Sequence, residues 1–469
     1  MRAKSALDSG PPKATFMKKK LILVAALGLL SAFAFAQEES ADAPQSKFDF
    51  SASISLGTDV LPTATLGKSE AWTRLGFQPD FSFGKIGLGL DLSLRFKLYP
   101  TNDQAIEVYG GDWIPNYEGN GKSFFDVYLP KFLYVRYGVK GEDSLFAKLG
   151  SIDDLSLGDG FIMSEYSNMR FMPETRIFGL DLGLDGQLFN FPYAGFELLT
   201  GNLAAFDVMG GRVYGRPLVD TSLPILKGLQ VGATAVVDRD PYRYADKSGA
   251  TPLAVYGGDL YLPILTGKVF PLAAFSDLAF EPANKSMGAM VGAGGRLISF
   301  ITYGAQLRLL EDGFIPSYFD ANYDIYRADK YDSMQEATDG SFYAGWYGSL
   351  GLSLLEDKIV FRTSLDGPFK LAPVASSASQ ADYPHAKAIL RFGKGLVGGF
   401  FADASYEKYF IGRQSPFFSD LVDPTDAVIG MALNYQTGAS VITLNYSAKW
   451  DSGSDSFVVT SSLEASMQL

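Results

Sequence analysis

Side chains able to carry catalysis or hold a metal are scarce in this chain. Its 469 residues include no cysteine and a single histidine, His385. The absence of cysteine excludes disulfides, thiolate metal sites and cysteine nucleophiles, and one histidine argues against a histidine-based metal cluster or a Ser-His-Asp relay. The sequence therefore predicts no enzyme activity, no catalytic residue, no bound metal and no cofactor.

Charged side chains alternate with apolar ones along many segments, and this is where solute chemistry could occur. In residues 85–98, one alternate set contains only Ile, Leu and Phe, whereas the other includes Lys85, Asp91, Arg95 and Lys97. Successive side chains of a β-strand point to opposite faces. The two sets therefore predict an apolar face toward lipid and a charged face toward water.

The charged faces of such segments supply the candidate pore-lining residues. Both signs are present, and two interpretations stay open. Opposed charges at a constriction could sort solutes by charge, or the charges could pair and hydrate within the wall. The candidates are Asp91, Arg95, Lys97, Arg136, Lys148, Asp181, Asp185, Asp259, Arg308, Lys387, Arg391, Asp403 and Glu407, together with Glu464.

The elements that must position these charges are strands, because period-two alternation recurs in runs of about ten residues. A soluble β-sandwich would also alternate, but the longest runs exceed the length of about five or six residues that is usual for soluble strands. The candidate strands are 48–57, 72–83, 86–98, 124–139, 144–152, 177–186, 193–202, 204–214, 228–237, 253–262, 269–280, 287–298, 302–311, 342–354, 359–367, 385–392, 396–409, 427–436, 440–450 and 457–469.

The connections between these strands alternate between short and long, as in outer-membrane barrels with short periplasmic turns and long outer loops. The sequence therefore predicts an all-β fold, a transmembrane antiparallel β-barrel of about 18–20 strands with no plug and no soluble domain. The two strands within 193–214 are the weakest of the set. The short connections include 84–85, 140–143, 356–357, 393–395 and 437–439, and the long ones are 99–123, 153–176, 312–340, 366–384 and 410–426.

Two of the long connections are candidates for folding into the lumen. Residues 153–176 are rich in Met and Phe with interspersed acids, and residues 312–340 hold six Tyr or Phe before Asp339. Those aromatic rings could stack on sugars or pack the loop against itself. Lys131 falls on the lipid-facing register beside Pro130, which predicts a bulge or a register change there.

The N-terminal region has the three parts of a secretory signal peptide. Lys18–Lys20 are basic, Leu21–Leu30 form an apolar core, and Ala34 and Ala36 form a small-x-small cleavage site. The predicted partition is an upstream extension of the start at 1–16, the signal peptide at 17–36, a short periplasmic segment at 37–47 and the barrel at 48–469. We expect export through the general secretory pathway and integration into the outer membrane.

The last strand ends on apolar residues, which resembles the signal that the outer-membrane assembly machinery reads. The residues that would carry this signal are Phe457, Leu463, Met467 and Leu469. Aromatic residues near strand ends also predict interfacial girdles, namely Trp72, Tyr99, Tyr137, Tyr409, Tyr435 and Trp450.

From Phe48 to Leu469 the chain resembles the porin-like class of Gram-negative outer-membrane barrels, through its pattern rather than through a specific motif. The resemblance implies passive or weakly selective diffusion of small hydrophilic solutes, and often a homotrimer. The alternative is a surface scaffold or adhesin whose outer loops bind a host or partner molecule. Expected partners include the lipid bilayer and lipopolysaccharide or another outer-leaflet lipid. The net charge of −12 argues against nucleic acid.

Overall fold

The computed structural model describes residues 48–62, 69–98, 106–119, 121–171, 176–267, 269–298, 300–335, 340–371, 382–438, 440–451 and 456–468. The proposed start extension, the signal peptide with Ala34 and Ala36, the segment 37–47 and Leu469 lie outside these ranges.

Within the described ranges, twenty antiparallel strands form one closed barrel, which confirms the predicted fold class. They are β1 (Phe48–Pro62), β2 (Ser69–Phe83), β3 (Ile86–Leu90 and Leu94–Leu98), β4 (Phe132–Tyr137), β5 (Leu145–Gly150), β6 (Gly179–Asp185), β7 (Ala194–Thr200), β8 (Val208–Gly215), β9 (Gln230–Asp238), β10 (Leu253–Leu265), β11 (Leu272–Glu281), β12 (Ser286–Leu297), β13 (Ile301–Glu311), β14 (Phe342–Leu354), β15 (Ile359–Pro368), β16 (His385–Val397), β17 (Phe400–Lys408), β18 (Ala427–Thr437), β19 (Ser440–Asp451) and β20 (Ser456–Gln468).

Within the described residues, three α-helices and several single turns of 3-10 helix lie in the connections. The α-helices are α1 (Phe124–Tyr128), α2 (Tyr323–Met334) and α3 (Phe417–Val422). The 3-10 turns are Gly110–Asp112, Tyr117–Gly119, Leu129–Lys131, Gly186–Phe189 and Leu226–Gly228. In the described part of the chain, no helix is long and apolar enough to cross a membrane.

The barrel closes between its first and last strands, where Ile54 lies opposite Met467 and Gly57 lies opposite Glu464. Both described termini therefore lie at one end, called here the terminal end, and the other is called the loop end. The weakest predicted pair, 193–214, is present as β7 and β8. One connection at the terminal end, residues 216–229 between β8 and β9, is long. The predicted strict alternation of short and long connections is therefore wrong at this point.

The barrel exterior is apolar and the interior is polar, as alternate positions along each strand require. On β10 and β11, for example, Leu260 and Leu278 are exposed on the outer surface, whereas Asp259 and Asp277 face each other on the inner one. A continuous exposed apolar exterior of this kind is stable in lipid and not in water.

The predicted strand 124–139 is wrong over its first half, because residues 124–131 are helical. The Ser123 hydroxyl accepts from the Asp126 N–H, and the Asp126 carboxylate accepts from the Ser123 N–H, so α1 begins with a capping box. Lys131 lies in the 3-10 turn that follows, with Nζ 4.3 Å from the centroid of the Trp113 ring. The chain is therefore not a strand at Lys131, and β4 enters the sheet opposite a register shift between Gly89 and Leu90.

The predicted strand 86–98 is interrupted at Asp91–Ser93. The Asp91 carboxylate is buried and accepts from Arg176 Nη2 at 2.6 Å and from the Ser93 hydroxyl. Regular strand pairing is lost over Asp91–Ser93, although the Asp91 N–H still donates to the Lys131 carbonyl at 2.7 Å, and only Ile86–Leu90 pairs with β4. The other half, Leu94–Leu98, pairs with β2 and with a short strand at Ile106–Val108.

Candidate functional site

Two connections at the loop end fold into the barrel and pack there. Inner loop 1 (residues 151–171) joins β5 to β6, and inner loop 2 (residues 312–335, including α2) joins β13 to β14. Both contain completely buried side chains, among them Met163 and Phe319. The two connections chosen from the sequence as lumen-folding therefore both fold into the lumen.

Inner loop 1 is a hairpin held by its own backbone. Leu155 and Tyr166 exchange N–H···O bonds of 3.0 and 2.8 Å, and the Leu157 N–H donates to the Met163 carbonyl at 3.2 Å. Gly160 sits in the turn with φ of 83°, a conformation that residues with a Cβ rarely adopt. The turn therefore depends on glycine at this point.

The two inner loops pair with each other. The Ser164 N–H donates to the Phe319 carbonyl at 3.1 Å, and the Ser317 N–H donates to the Phe161 carbonyl at 2.8 Å. The Phe161 and Phe314 rings stack with centroids 5.4 Å apart. The loops therefore move, if at all, as a connected pair.

Apolar side chains of both loops pack on one side of the barrel wall, between β7 and β13. Burying one such side chain fully contributes about 1.5–3 kcal/mol, so this contact holds the loops firmly. The wall residues in the cluster are Leu199, Val208, Val236, Leu253, Val255, Ala279, Met290 and Leu310. Most of the inner loop 2 aromatics, including Tyr318 and Tyr323, are buried in this cluster, so they pack the loop and are not free to stack on sugars.

Arg327 on α2 ties inner loop 2 to the same side of the wall. Its guanidinium is 2% exposed and donates from Nε to Asp238 at 2.6 Å and from Nη1 to Asp207 at 2.9 Å. Asp238 ends β9 and Asp207 precedes β8. A buried charge is stable only when it is paired, so these three side chains form a fixed anchor.

Asp159 lies at the turn of inner loop 1 and faces charged wall groups. Burial and then the nearby Asp259 carboxylate raise the pKa of Asp159 to about 7, while Arg212 opposes the shift. Arg212 and Asp259 pair with each other, with Nε 3.0 Å from Oδ2. A Cβ on Gly158 would lie 3.2 Å from Arg212 Nε, so the turn is in close contact with this pair.

On the opposite side of the inner loops a cavity of about 340 Å³ remains open. Ser164 and Glu165 line it from inner loop 1, and Asp320 and Lys330 line it from inner loop 2. The wall side is formed by strands β13 to β17. A row of bonded charges crosses this wall, and it contains Arg308, Asp366, His385 and Glu407.

The spacing of this row follows from the strand register. Asp366 on β15 lies directly opposite His385 on β16, and their Oδ1 and Nδ1 atoms are 3.0 Å apart. Arg308 on β13 must reach across β14, where its cross-strand partner is Gly345. Because Gly345 has no side chain, Arg308 Nη1 comes within 3.2 Å of Asp366 Oδ2.

His385 joins the two acidic groups of the row. Its Nδ1 faces Asp366 and its Nε2 faces Glu407 Oε1, each at 3.0 Å. Carboxylates only accept, so both ring nitrogens must donate and the ring is an imidazolium in this arrangement. Tyr409 stacks on the ring with centroids 4.6 Å apart, and its hydroxyl donates to Glu407 at 2.9 Å.

Two contacts join the inner loops to this wall. The Lys387 ammonium pairs with Glu165 of inner loop 1, and the Asn322 amide of inner loop 2 donates to Glu407. Because both loops also pack on β7 to β13, they bridge the lumen. The cavity at Glu165 and Lys387 is therefore bounded by charged groups of both signs.

The structure brings three of the candidate pore-lining residues to this cavity, namely Arg308, Lys387 and Glu407. Arg136 donates to the Gly138 carbonyl. The remaining candidates form ion pairs elsewhere, which are Asp91–Arg176, Arg95–Asp59, Arg95–Asp112, Lys97–Glu70, Lys148–Asp153, Asp181–Lys140, Asp185–Arg216, Asp259–Arg212, Arg391–Asp403 and Glu464–Arg74. This geometry matches the interpretation in which charges pair within the wall.

Sequence reasoning missed several residues of the site. Asp366 is absent from the candidate pore-lining residues, although it falls within the candidate strand 359–367 and continues the inward alternation of Arg362 and Ser364, a signal that could have identified it. Tyr409 is wrong as a girdle residue because it is buried against His385. The girdle assignment of Trp72 is also wrong, because its side chain is buried and the Lys97 Nζ lies 4.1 Å from the centroid of its ring.

The proposed assembly residues lie on β20. Leu463 and Met467 are exposed on the outer face, and Phe457 packs edge-on against Trp450 with centroids 5.1 Å apart. Their role in assembly stays a prediction. In the described ranges, no three or more His, Asp or Glu side chains are grouped so that they could hold a metal ion.

No protein-family model matches the chain, and no curated protein matches it. Solved structures with a similar fold include CdiB from Acinetobacter baumannii, OccAB2 from Acinetobacter baumannii and the outer membrane protein opdK from Pseudomonas aeruginosa, with identities of 8%, 10% and 11% and TM-scores of 0.27, 0.34 and 0.36. The matches cover 91%, 90% and 90% of this chain, and 61%, 98% and 98% of those chains. The chain thus spans 61% of the length of CdiB. Since all three TM-scores are below 0.5, the barrel assignment rests on this chain's own strand pairing.

Proposed function

We propose that this protein is an outer-membrane channel that lets small hydrophilic solutes diffuse passively. The observation that carries the proposal is that the inner loops fill only part of the lumen. The barrel has an apolar exterior and a charged interior, and its inner loops leave a polar cavity of about 340 Å³ beside β13 to β17. A path of this kind lets water and small polar molecules pass while larger ones are excluded.

The proposed location is the outer membrane, reached through the general secretory pathway. Closed barrels without sheet edges are one of the two backbone arrangements that satisfy every hydrogen bond in lipid. In this location the exposed apolar side chains of the exterior would contact phospholipid and lipopolysaccharide. A homotrimer and recognition by the assembly machinery stay predictions within the same proposal.

Liposome swelling with a series of neutral solutes tests the proposal. Refolded protein in liposomes should admit small sugars and amino acids at rates that fall steeply with solute size, because the inner loops narrow the lumen. A protein-free liposome is the first control. The second is a variant with Leu253, Val255 and Val236 changed to Asp, in which the packing under the inner loops is lost and size exclusion should weaken.

The competing function is a surface scaffold or adhesin with a blocked lumen. It makes the opposite prediction, since liposomes containing folded protein would then swell no faster than protein-free ones. That result, obtained with protein whose barrel is verified by circular dichroism, would refute the channel.

A further inference from the structure

The strand β17 places a lysine on the outside of the barrel. Glu407 faces the lumen, where it contacts His385, so its neighbour Lys408 points to the opposite, lipid-facing side. The register agrees, since Lys408 lies opposite Ala386 and Glu407 lies opposite Lys387. Nevertheless Lys408 is 0% exposed. Something on the exterior of the wall must therefore cover it.

The cover is the connection between β17 and β18, which contains α3. The Lys408 ammonium lies 3.2 Å from Asp420 Oδ1 and also donates to the Thr425 carbonyl. The other oxygen of Asp420 accepts from the Gly412 N–H at 2.6 Å. Tyr406, also on the outer face of β17, donates its hydroxyl to the Leu421 carbonyl at 2.9 Å. This connection thus folds over the outside of the wall, unlike the two inner loops.

The side of α3 that faces away from the wall carries two apolar residues. Phe418 and Val422 are 80% and 78% exposed, and residues four apart lie on the same side of a helix. The outer face of the adjacent strand β18 is also apolar, with Met431, Leu433 and Tyr435 exposed. Phe418 and Val422 therefore extend the lipid-facing surface at the loop end of the barrel.

The Lys408–Asp420 ion pair, called here the clamp, stabilises α3 in its position against the wall. A lysine on the lipid face is costly at the bilayer midplane and costs much less near its border, and pairing with Asp420 removes the need to hydrate it. Short amphipathic segments at a membrane border insert apolar side chains by several ångströms. Both facts place α3 at the border between the outer leaflet and water.

We propose that α3 is a membrane-contacting helix. Phe418 and Val422 insert among the acyl chains of the outer leaflet, and the Lys408–Asp420 pair holds the helix against the barrel. The partner surface is lipid. This inference goes beyond solute passage and depends only on the barrel spanning a membrane, so a failure of the swelling test leaves it standing.

Spin-label accessibility tests the proposal, because the chain has no native cysteine and any introduced thiol is labelled uniquely. The test variant is Phe418→Cys in proteoliposomes. The lipid reference is Leu433→Cys on the outer face of β18, and the water reference is Ser248→Cys on an exposed connection at the loop end. We expect the label at 418 to match the one at 433, with high accessibility to oxygen and low accessibility to a water-soluble nickel chelate.

Two results would overturn the proposal. The first is a label at 418 that matches the one at 248, because the helix would then stand in water. The second is a label shielded from both relaxants whose spin–spin broadening disappears when unlabelled protein is added, because a second copy of the chain would then cover α3.

The clamp is tested with the same label. Asp420→Asn should release α3 and raise the accessibility of the label at 418 to the nickel chelate. Lys408→Met leaves Asp420 without its cation and should release α3 in the same way. If either single variant does not refold, the double variant Lys408→Met with Asp420→Asn leaves no unpaired charge and still lacks the pair, so it should also raise the accessibility of the label to the nickel chelate. A label that stays as inaccessible to the chelate as in the wild type in these variants would contradict the clamp.

Discussion

At the scale of single residues, His385 lies at the centre of the row of charges beside the cavity. It supplies one positive charge between two carboxylates, and Arg308 supplies another at the end of the same row. The chain has no other histidine, so no second imidazole can replace it. Changing this residue alters the charge that a passing solute meets without changing the backbone of the wall.

The substitution His385→Phe should make the channel prefer cations more strongly. It removes the imidazolium and leaves Asp366 and Glu407 partly uncompensated at the cavity. One unit charge within about 4 Å of an ion contributes about 1 kcal/mol in water, with opposite sign for a cation and an anion, so the cation-to-anion permeability ratio should rise by up to about 30-fold. Reversal potentials across a salt gradient measure this ratio.

The matched control is Lys358→Gln, which removes one positive charge from a turn at the terminal end. Its effect on the reversal potential should be much smaller than that of His385→Phe. Equal shifts in the two variants would show that total charge matters and that the row across β13 to β17 does not.

At the scale of elements, the inner loops are the parts that would decide what the proposed channel can pass. Inner loop 2 depends on Arg327, whose removal would leave Asp238 buried without its cation and Asp207 with Arg243 as its remaining cationic partner. Breaking a buried pair costs about 3–5 kcal/mol, so Arg327→Met should loosen α2 and lower the hydrogen-exchange protection of residues 323–334. Lys247→Met is the control, because it removes an exposed partner of Asp332 on the same helix and such pairs contribute about 0–1 kcal/mol. Equal protection of α2 in both variants would contradict the anchor.

Inner loop 1 should be docked most firmly at low pH. In the docked loop the pKa of Asp159 is about 7, because burial and Asp259 disfavour its charge, whereas an undocked loop exposes an ordinary carboxyl near 3.9. At pH values between these two pKa values, docking of inner loop 1 is accompanied by the uptake of a proton by Asp159. Docking should therefore weaken as the pH rises from about 4 to about 7 and change little above that.

Hydrogen exchange of residues 155–166 measures this docking, after correction for the intrinsic pH dependence of exchange. Asp159→Asn stays neutral at every pH, so in that variant the protection should lose most of its dependence between pH 4 and pH 7. A variant that keeps the full dependence would show that Asp159 is not the group responsible.

The elements that were predictable from the sequence are those in which local alternation decides the structure. β16 and β20 alternate cleanly and were found, but residues 124–131 also alternate and are helical, because the Ser123–Asp126 capping box and Pro130 outweigh the alternation. The inner loops were identified by their Met and aromatic content. The row of charges through Asp366 and His385 was not identified from the sequence. It depends on the register of neighbouring strands and on glycine, which has no side chain, at position 345. Such register is set by pairing along the whole barrel and is weakly encoded in any one segment.

At the scale of the whole molecule, the distribution of charge sets the expected selectivity. The chain has a net charge of −12, and Met1–Ala36 holds six basic residues and one acidic residue, so the remainder carries an excess of about 17 negative charges. The described wall charges are mostly paired, so we expect the excess to act largely at the mouths of the barrel. The Debye screening length shortens from about 10 Å at 0.1 M salt to about 3 Å at 1 M salt. We therefore expect a weak cation preference at 0.1 M that fades toward 1 M, measured as a reversal potential. Strong anion selectivity, or selectivity independent of salt, would contradict this distribution.

The central claim is that the barrel conducts and that its inner loops set the size of the path. Single-channel recording in planar bilayers tests it most directly, with the refolded wild-type chain beside a variant in which residues 318–334 are replaced by a short Gly-Ser linker. The wild type should give discrete conductance steps, and the variant should give larger steps because α2 no longer bridges the lumen. Bilayers that stay sealed with verified folded protein would contradict the channel itself, and equal step sizes in the two proteins would contradict the role of the inner loops.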